Sequence, residues 1–205
     1  MERYNDLLFS VWREACRHIE IHESLARIAS LLRRSIPVDT VAVVAFEGAG
    51  SHARRVCYLS MVGQASPPPS LSLDLTETRV LSAWCETGRA TQYTMERPSE
   101  GLPRGILEGL GTHMLAVPLI SDHGTRGVFL LGNDRRAYHE REVALADILR
   151  EPLAVAVEND RRLHELMTLR EAAEADKRKL LHRLGREQLL DEIVGADRGL
   201  EAVME

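Results

Sequence analysis

The sequence predicts an α+β domain: a central antiparallel sheet of five to six strands with helices packed on one side of it. Three observations carry that expectation. Apolar, β-branched runs stand next to one another in pairs with only a short turn between them, as antiparallel hairpins require. Segments with a helical period of apolar residues flank these pairs and separate them. The longest such segment starts at His139 and runs almost to the end of the chain.

Taken in order, Leu7, Leu8, Val11, Ala15 and Ile19, then Leu25, Ile28, Leu31 and Leu32, recur at helical spacing. Glu23-Ser24 reads as the start of a second helix within this run, and Pro37 ends it. Residues 39–46 and 54–61 form two strands joined across Gly48-Ala49-Gly50-Ser51. Pro67-Pro68-Pro69 is a stiff surface connector, and residues 71–75 alternate as a short strand. Thr76 is placed to cap the next helix. Val80, Leu81, Trp84 and Cys85 fall on one face of it, and Gly88 closes it. Residues 90–93 are a further short strand. From Met95 to Gly111 the chain is rich in proline and glycine, with room for one short helix around Ile106. Residues 114–120 and 126–132 are strands across a turn at Ser121-Asp122-His123-Gly124. Pro152 should kink the final helix or leave one backbone hydrogen bond unmade.

Composition narrows the function. A formal net charge of -5 gives no general attraction to nucleic acid, so no direct nucleic-acid contact by this chain is expected. No apolar run approaches the roughly 20 residues that span a bilayer, and no signal peptide is evident, so the expectation is a cytoplasmic protein without a membrane partner. Three widely spaced cysteines agree with a reducing compartment. No nucleophile–base or paired-carboxylate motif appears, and the chain is expected not to be an enzyme.

The element order, together with local motifs, resembles the GAF domain family. Leu115-Ala116-Val117-Pro118-Leu119, a hairpin, and Gly127-Val128-Phe129-Leu130-Leu131-Gly132 match a characteristic strand pair of that family. Thr87-Gly88-Arg89-Ala90 matches its turn after the middle helix. Pro152-Leu153-Ala154-Val155-Ala156-Val157-Glu158-Asn159 matches its last helix, with Pro152 as a departure. The resemblance covers roughly residues 20–165 and implies a sensor of small molecules. A second, shorter resemblance lies in residues 191–205, which look like the opening of the AAA+ domain of sigma-54-dependent transcriptional activators, although Ala196-Asp197-Arg198 stands where Ser-Pro is usual. No phosphate-binding G-x-x-x-x-G-K-[ST] follows. The implied organisation is a GAF sensor over 1–160, a linker helix over 161–190 and the start of an AAA+ output domain over 191–205. In that arrangement the partners are an unidentified small molecule, the AAA+ domain of the same polypeptide and a second copy of the chain, joined through the first and last helices.

The linker has a seam at Leu163, Leu166, Arg170, Ala173, Lys177, Leu180 and Leu184, a 3.5-residue repeat that suits a parallel coiled coil. A solvated single helix held by pairs such as Glu174 with Arg178 is the other reading. For the sensor itself, Tyr58, Arg79, Trp84, Tyr93 and His113 are candidate ligand-binding residues, Arg79 as the partner of a carboxylate. Cys57, Cys85 and His113 come from elements that border the cavity in GAF folds, so they are candidate ligands for a soft metal; the alternative is that the cysteines are small core residues. His18 and His22 share a helix face, but Cys16 points elsewhere and completes no metal site. The sequence identifies no cofactor. Two enzymatic or chromophore-bearing relatives are excluded by resemblance: residues 94–112 lack the cysteines of free methionine sulfoxide reductases and the bilin-anchoring cysteine of phytochromes. Two rival functions remain, a structural dimerisation module without a ligand and the sensor of another signalling protein such as a histidine kinase.

Overall fold

The computed structural model describes residues 2–17, 20–47, 52–62, 71–96, 101–121 and 124–199, with side chains from 5 to 183 within those ranges. The expected turns at 48–51 and 122–123, the prolines at 67–69, His18 and the last residues of the AAA+ resemblance lie outside the described residues. The chain divides into two compact units, Met1–Arg161 and Arg162–Glu205.

In the first unit, α1 (Glu2–Arg17) and α2 (Ile21–Leu32) precede β1 (Thr40–Glu47) and β2 (His52–Ser60). The short β3 (Ser72–Leu73) leads into α3 (Leu75–Glu86), followed by β4 (Thr91–Thr94) and the single-turn α4 (Arg104–Leu107). The hairpin β5 (His113–Ser121) and β6 (Gly124–Asn133) comes next, then α5 (Glu140–Ile148) and α6 (Arg150–Gly199). The strands form one six-stranded sheet in the order β3-β2-β1-β6-β5-β4, with every adjacent pair antiparallel.

Alternation along the central strands sends side chains to two cores. Val41, Val43, Leu115, Val117, Phe129 and Leu131 pack under α1, α2, α5 and the first turns of α6. Ala42, Val44, Met114, Ala116, Val128 and Leu130 pack under α3 and α4. Residues buried on both sides of a strand explain why β1, β5 and β6 read as continuous apolar runs. The helical layer on one face is as the sequence suggests, and the opposite face is covered as well, by α3, the small α4 and the loops around it.

Two helix boundaries differ from the sequence reading for local reasons. The N-cap of α3 is Asp74 and not Thr76: its carboxylate accepts from the Glu77 amide at 2.8 Å while Glu77 accepts from the Asp74 amide at 3.2 Å. This reciprocal box satisfies two otherwise unpaired N–H groups and starts the helix one residue before Thr76. With that start, Thr78 turns inward and Val80 outward, while Leu81, Trp84 and Cys85 are buried as expected. At the other boundary, the chain breaks at Leu149, between α5 and α6, before Pro152. Pro152 therefore sits in the first turn of α6, where a backbone N–H has no intrahelical acceptor and its loss is harmless.

In the second unit, the described part of α6 leaves Leu166, Met167, Leu169, Leu180 and Leu181 exposed. Glu174 pairs at 3.0 Å with Arg170, one turn before it, and not with Arg178, one turn after it, as expected. No helix among the described residues is long and apolar enough to cross a membrane.

Candidate functional site

A concavity of about 500 Å³ lies at one end of the sheet. Its floor is the start of β1 and the end of β2, at Thr40, Tyr58 and Ser60, and its rim is Met95 with the chain from Gly109 to Thr112. Hydrogen bonds hold this rim. The Tyr58 hydroxyl donates to the Gly109 carbonyl at 2.8 Å. Asp134 accepts from both the amide and the hydroxyl of Thr112, at 2.7 and 2.9 Å. Asp39, also in the lining, pairs with Arg135 at 2.6 Å. The lining thus offers a phenol face, a carboxylate–guanidinium pair and main-chain groups of a glycine-containing loop, the mixture of apolar body and few polar contacts that orients a small ligand.

Gly111 and Gly132 let the rim come this close. Gly111 has φ +106 and a Cβ there would press on Asn133, while a Cβ at Gly132 would overlap the Leu110 carbonyl. The segment before β5 therefore lies directly on the backbone of β6.

Of the residues singled out from sequence, Tyr58, Trp84 and Tyr93 come to the same face of the sheet. Burial pushes the Tyr93 phenol up from its ordinary pKa, opposed by the neighbouring Trp84 indole and Thr91 hydroxyl. Among the described residues the Tyr93 oxygen nonetheless has no hydrogen bond of ordinary geometry. Arg79 does not join them: it is exposed on the outer side of α3. His113 opens β5 opposite Thr94 and Asn133, and alternation from Leu115 turns it to the helix-covered face.

The proposed metal trio is dispersed. Cys57 lies under the helices, its sulfur 3.3 Å from His22 Nδ1. Cys85 lies on the other face, its thiol donating to the Gly127 carbonyl at 3.7 Å. His113 is on the Cys57 side, but three strands across and four residues along, roughly 20 Å away. Among the described residues, no three His, Cys, Asp or Glu side chains gather as metal ligands would. Burial pushes both the Cys57 and the Cys85 thiol up to about 12, with Asp160 adding to the first and Glu86 to the second. Both are protonated, poorly nucleophilic core residues, and Cys16 is the exposed thiol.

Sequence reasoning missed Arg55. A bulge between Val43 and Val44 of β1 pairs Val43 with Cys57 but Val44 with Arg55, so Val56 is the extra residue. Strict alternation would put Arg55 and Cys57 on one face; the extra residue reverses the face, and Arg55 enters the Tyr58 side. Its guanidinium carbon is 5.9 Å from the centre of the Tyr58 ring. Burial lowers its pKa, against the favourable fields of Tyr58 and Glu108.

No family model matches the sequence, and no curated protein does. Solved structures do match. The phycoerythrobilin-bound GAF domain of a cyanobacterial phytochrome superposes with a TM-score of 0.58 at 13% identity, covering 78% of this chain and 97% of that one. The fold is that of GAF domains. The GAF domain of a phosphoenolpyruvate-protein phosphotransferase from Coxiella burnetii gives 0.58 at 15% identity, over 80% of this chain and 98% of that one. Free methionine-R-sulfoxide reductase from Neisseria meningitidis, solved with its substrate, gives 0.55 at 14% identity, over 78% and 91%. At such identities the likeness is one of fold, and the same fold carries a chromophore domain and an enzyme.

Proposed function

We propose that this chain is a regulatory, non-enzymatic GAF sensor that binds a small molecule and controls the AAA+ ATPase of a sigma-54-dependent transcriptional activator. The observation that carries the sensor reading is the pocket of about 500 Å³ whose rim is held to the sheet by Tyr58 and Asp134. Its size suits a metabolite. Two of the similar folds were solved with a small molecule in place, a bilin and a sulfoxide substrate. The enzymatic alternative has little support in the thiols, because Cys57 and Cys85 face opposite cores. The AAA+ assignment rests on the short resemblance at residues 191–205. The homodimer rests on the exposed Leu166 and Leu180 of α6 and the repeat they belong to.

The rival, a dimerisation module without a ligand, is favoured by one observation. Directly beneath α3 the face is filled by Leu81, Trp84, Ile106, Leu110 and Met114, all buried. Thermal melting against a metabolite library separates the two. A sensor gains RT ln(1 + [L]/Kd), so its ligand raises the melting temperature by about 5 °C or more at a hundredfold excess over Kd. A library that moves nothing, with no small molecule retained in native mass spectrometry, leaves the dimerisation module standing.

A further inference from the structure

On the face that carries Tyr58, Arg55 is set among carbonyl groups. Its Nη2 donates to the Gly105 carbonyl at 3.0 Å and the Ile106 carbonyl at 3.5 Å. Its Nε is buried and has no hydrogen-bond partner among the described residues. Nε–H and the adjacent Nη2–H point the same way from one edge of the guanidinium, the spacing that matches the two oxygens of a carboxylate. That edge is half used: neutral acceptors stand at one end and, among the described residues, no acceptor at the other. Among the described residues, no carboxylate forms an ion pair with it.

What Arg55 holds is equally informative. Gly105 and Ile106 belong to α4, a four-residue helix with no side-chain cap at its start. So short a helix leaves its carbonyls without internal donors, and Arg55 supplies one. Tyr58, stacked beside Arg55 and contributing to the pocket, holds the Gly109 carbonyl in the same way. Two neighbouring side chains of β2 thus strap the covering segment to the sheet through main-chain oxygens alone.

We infer that Arg55 is the anion-recognition group of the domain: a small carboxylate entering beside Tyr58 engages Nε and Nη2 together, displaces the Gly105 and Ile106 carbonyls, and frees α4 from β2. The exchange is favourable because a hydrogen bond to an ionised acceptor is about twice as strong as one to a neutral carbonyl, and because the unmet donor is then satisfied. Ligand binding and release of the segment are one event, which is what a signal requires. This rests on the sensor reading and names its ligand class.

The test uses the full chain with acetate, oxalate, succinate and benzoate, each against its amide at matched ionic strength, read by thermal melting and by hydrogen exchange. The expected result is that at least one carboxylate raises the melting temperature by about 5 °C near saturation while its amide does not. Exchange at residues 105–110 then quickens about tenfold in the bound wild-type protein, a readout that needs no variant. Arg55→Lys, which keeps the charge but loses the paired edge, should weaken that carboxylate at least tenfold. Equal binding by Arg55→Lys overturns the inference, as does exchange that slows at 105–110. Carboxylates that do nothing while an uncharged metabolite stabilises the chain overturn it and leave the sensor reading intact. No response to these compounds or to the wider library removes both.

Discussion

The two faces of this sheet share their strands but are closed by different chemistry. Under α1, α2, α5 and α6 the interior is apolar and sealed by long amphipathic helices, with Phe129 at its centre. On the other face, α3 supplies a comparable apolar floor, but the outer cover is a four-residue helix and a glycine-containing loop. That cover is held by Arg55, Tyr58 and Asp134 through hydrogen bonds to backbone groups. Apolar burial is non-directional and is lost only by separating whole surfaces, whereas a hydrogen bond to a carbonyl can be exchanged for another. One face is therefore suited to hold the fold and the other to respond.

Substitutions sharpen this contrast, beginning with the largest expected effect. Phe129→Ala empties the centre of the helix-covered face, where the side chain is fully buried, and should cost about 4 kcal/mol in a denaturant titration, with exchange quickened across the whole first unit. If exchange rose only in the segment before β5, the division between the faces would be wrong. Gly132→Ala acts on the opposite side by pushing the Leu110 carbonyl off β6. A cost of about 2 kcal/mol is expected there, with the exchange change confined to residues 101–112. The smallest effect belongs to Glu142, on α5 at the margin of the helix-covered face. The Arg136 guanidinium beside it holds its carboxyl below the usual range, against the opposing effect of burial and with help from the His139 amide. A depressed folded pKa contributes stability above the unfolded value of about 4.3, and that stability is lost as pH falls through the folded value. Glu142→Gln should therefore melt a degree or two lower than wild type at pH 7, with the difference closing in acid. A gap that persisted at low pH would assign the effect to packing.

The same contrast governs how much could be read from residues alone. β1, β5 and β6 are buried on both sides and announce themselves as apolar runs, and α2 as an amphipathic helix, so the architecture was legible. The inward turn of Trp84 and Cys85 followed from helical spacing. The position of Arg55 did not, because adjacent arginines at 54 and 55 look like a wet strand and only the bulge at Val43/Val44 decides which one goes inside. Arg79 attracted notice as a cation near an aromatic cluster, yet the Asp74 cap sets the helix phase so that it faces solvent. The cysteines gave the opposite error. Their elements are neighbours in the fold, but a sheet lies between them, and sequence spacing carries no information on which side of a sheet a helix packs.

Where α6 leaves the first unit, its side chains are tied to two other elements. Glu158 pairs with Arg126 of β6 at 3.1 Å, and Asp160 accepts from the Ile21 amide, the first N–H of α2, at 2.9 Å. A carboxylate at a helix N-terminus satisfies an otherwise unpaired donor and the positive end of the helix dipole together. Sliding α6 by one residue would turn its side chains by about 100° and strip both ties at once. Any shift of the first turns of α6 must therefore either break these ties or carry the start of α2 and Arg126 of β6 along with it.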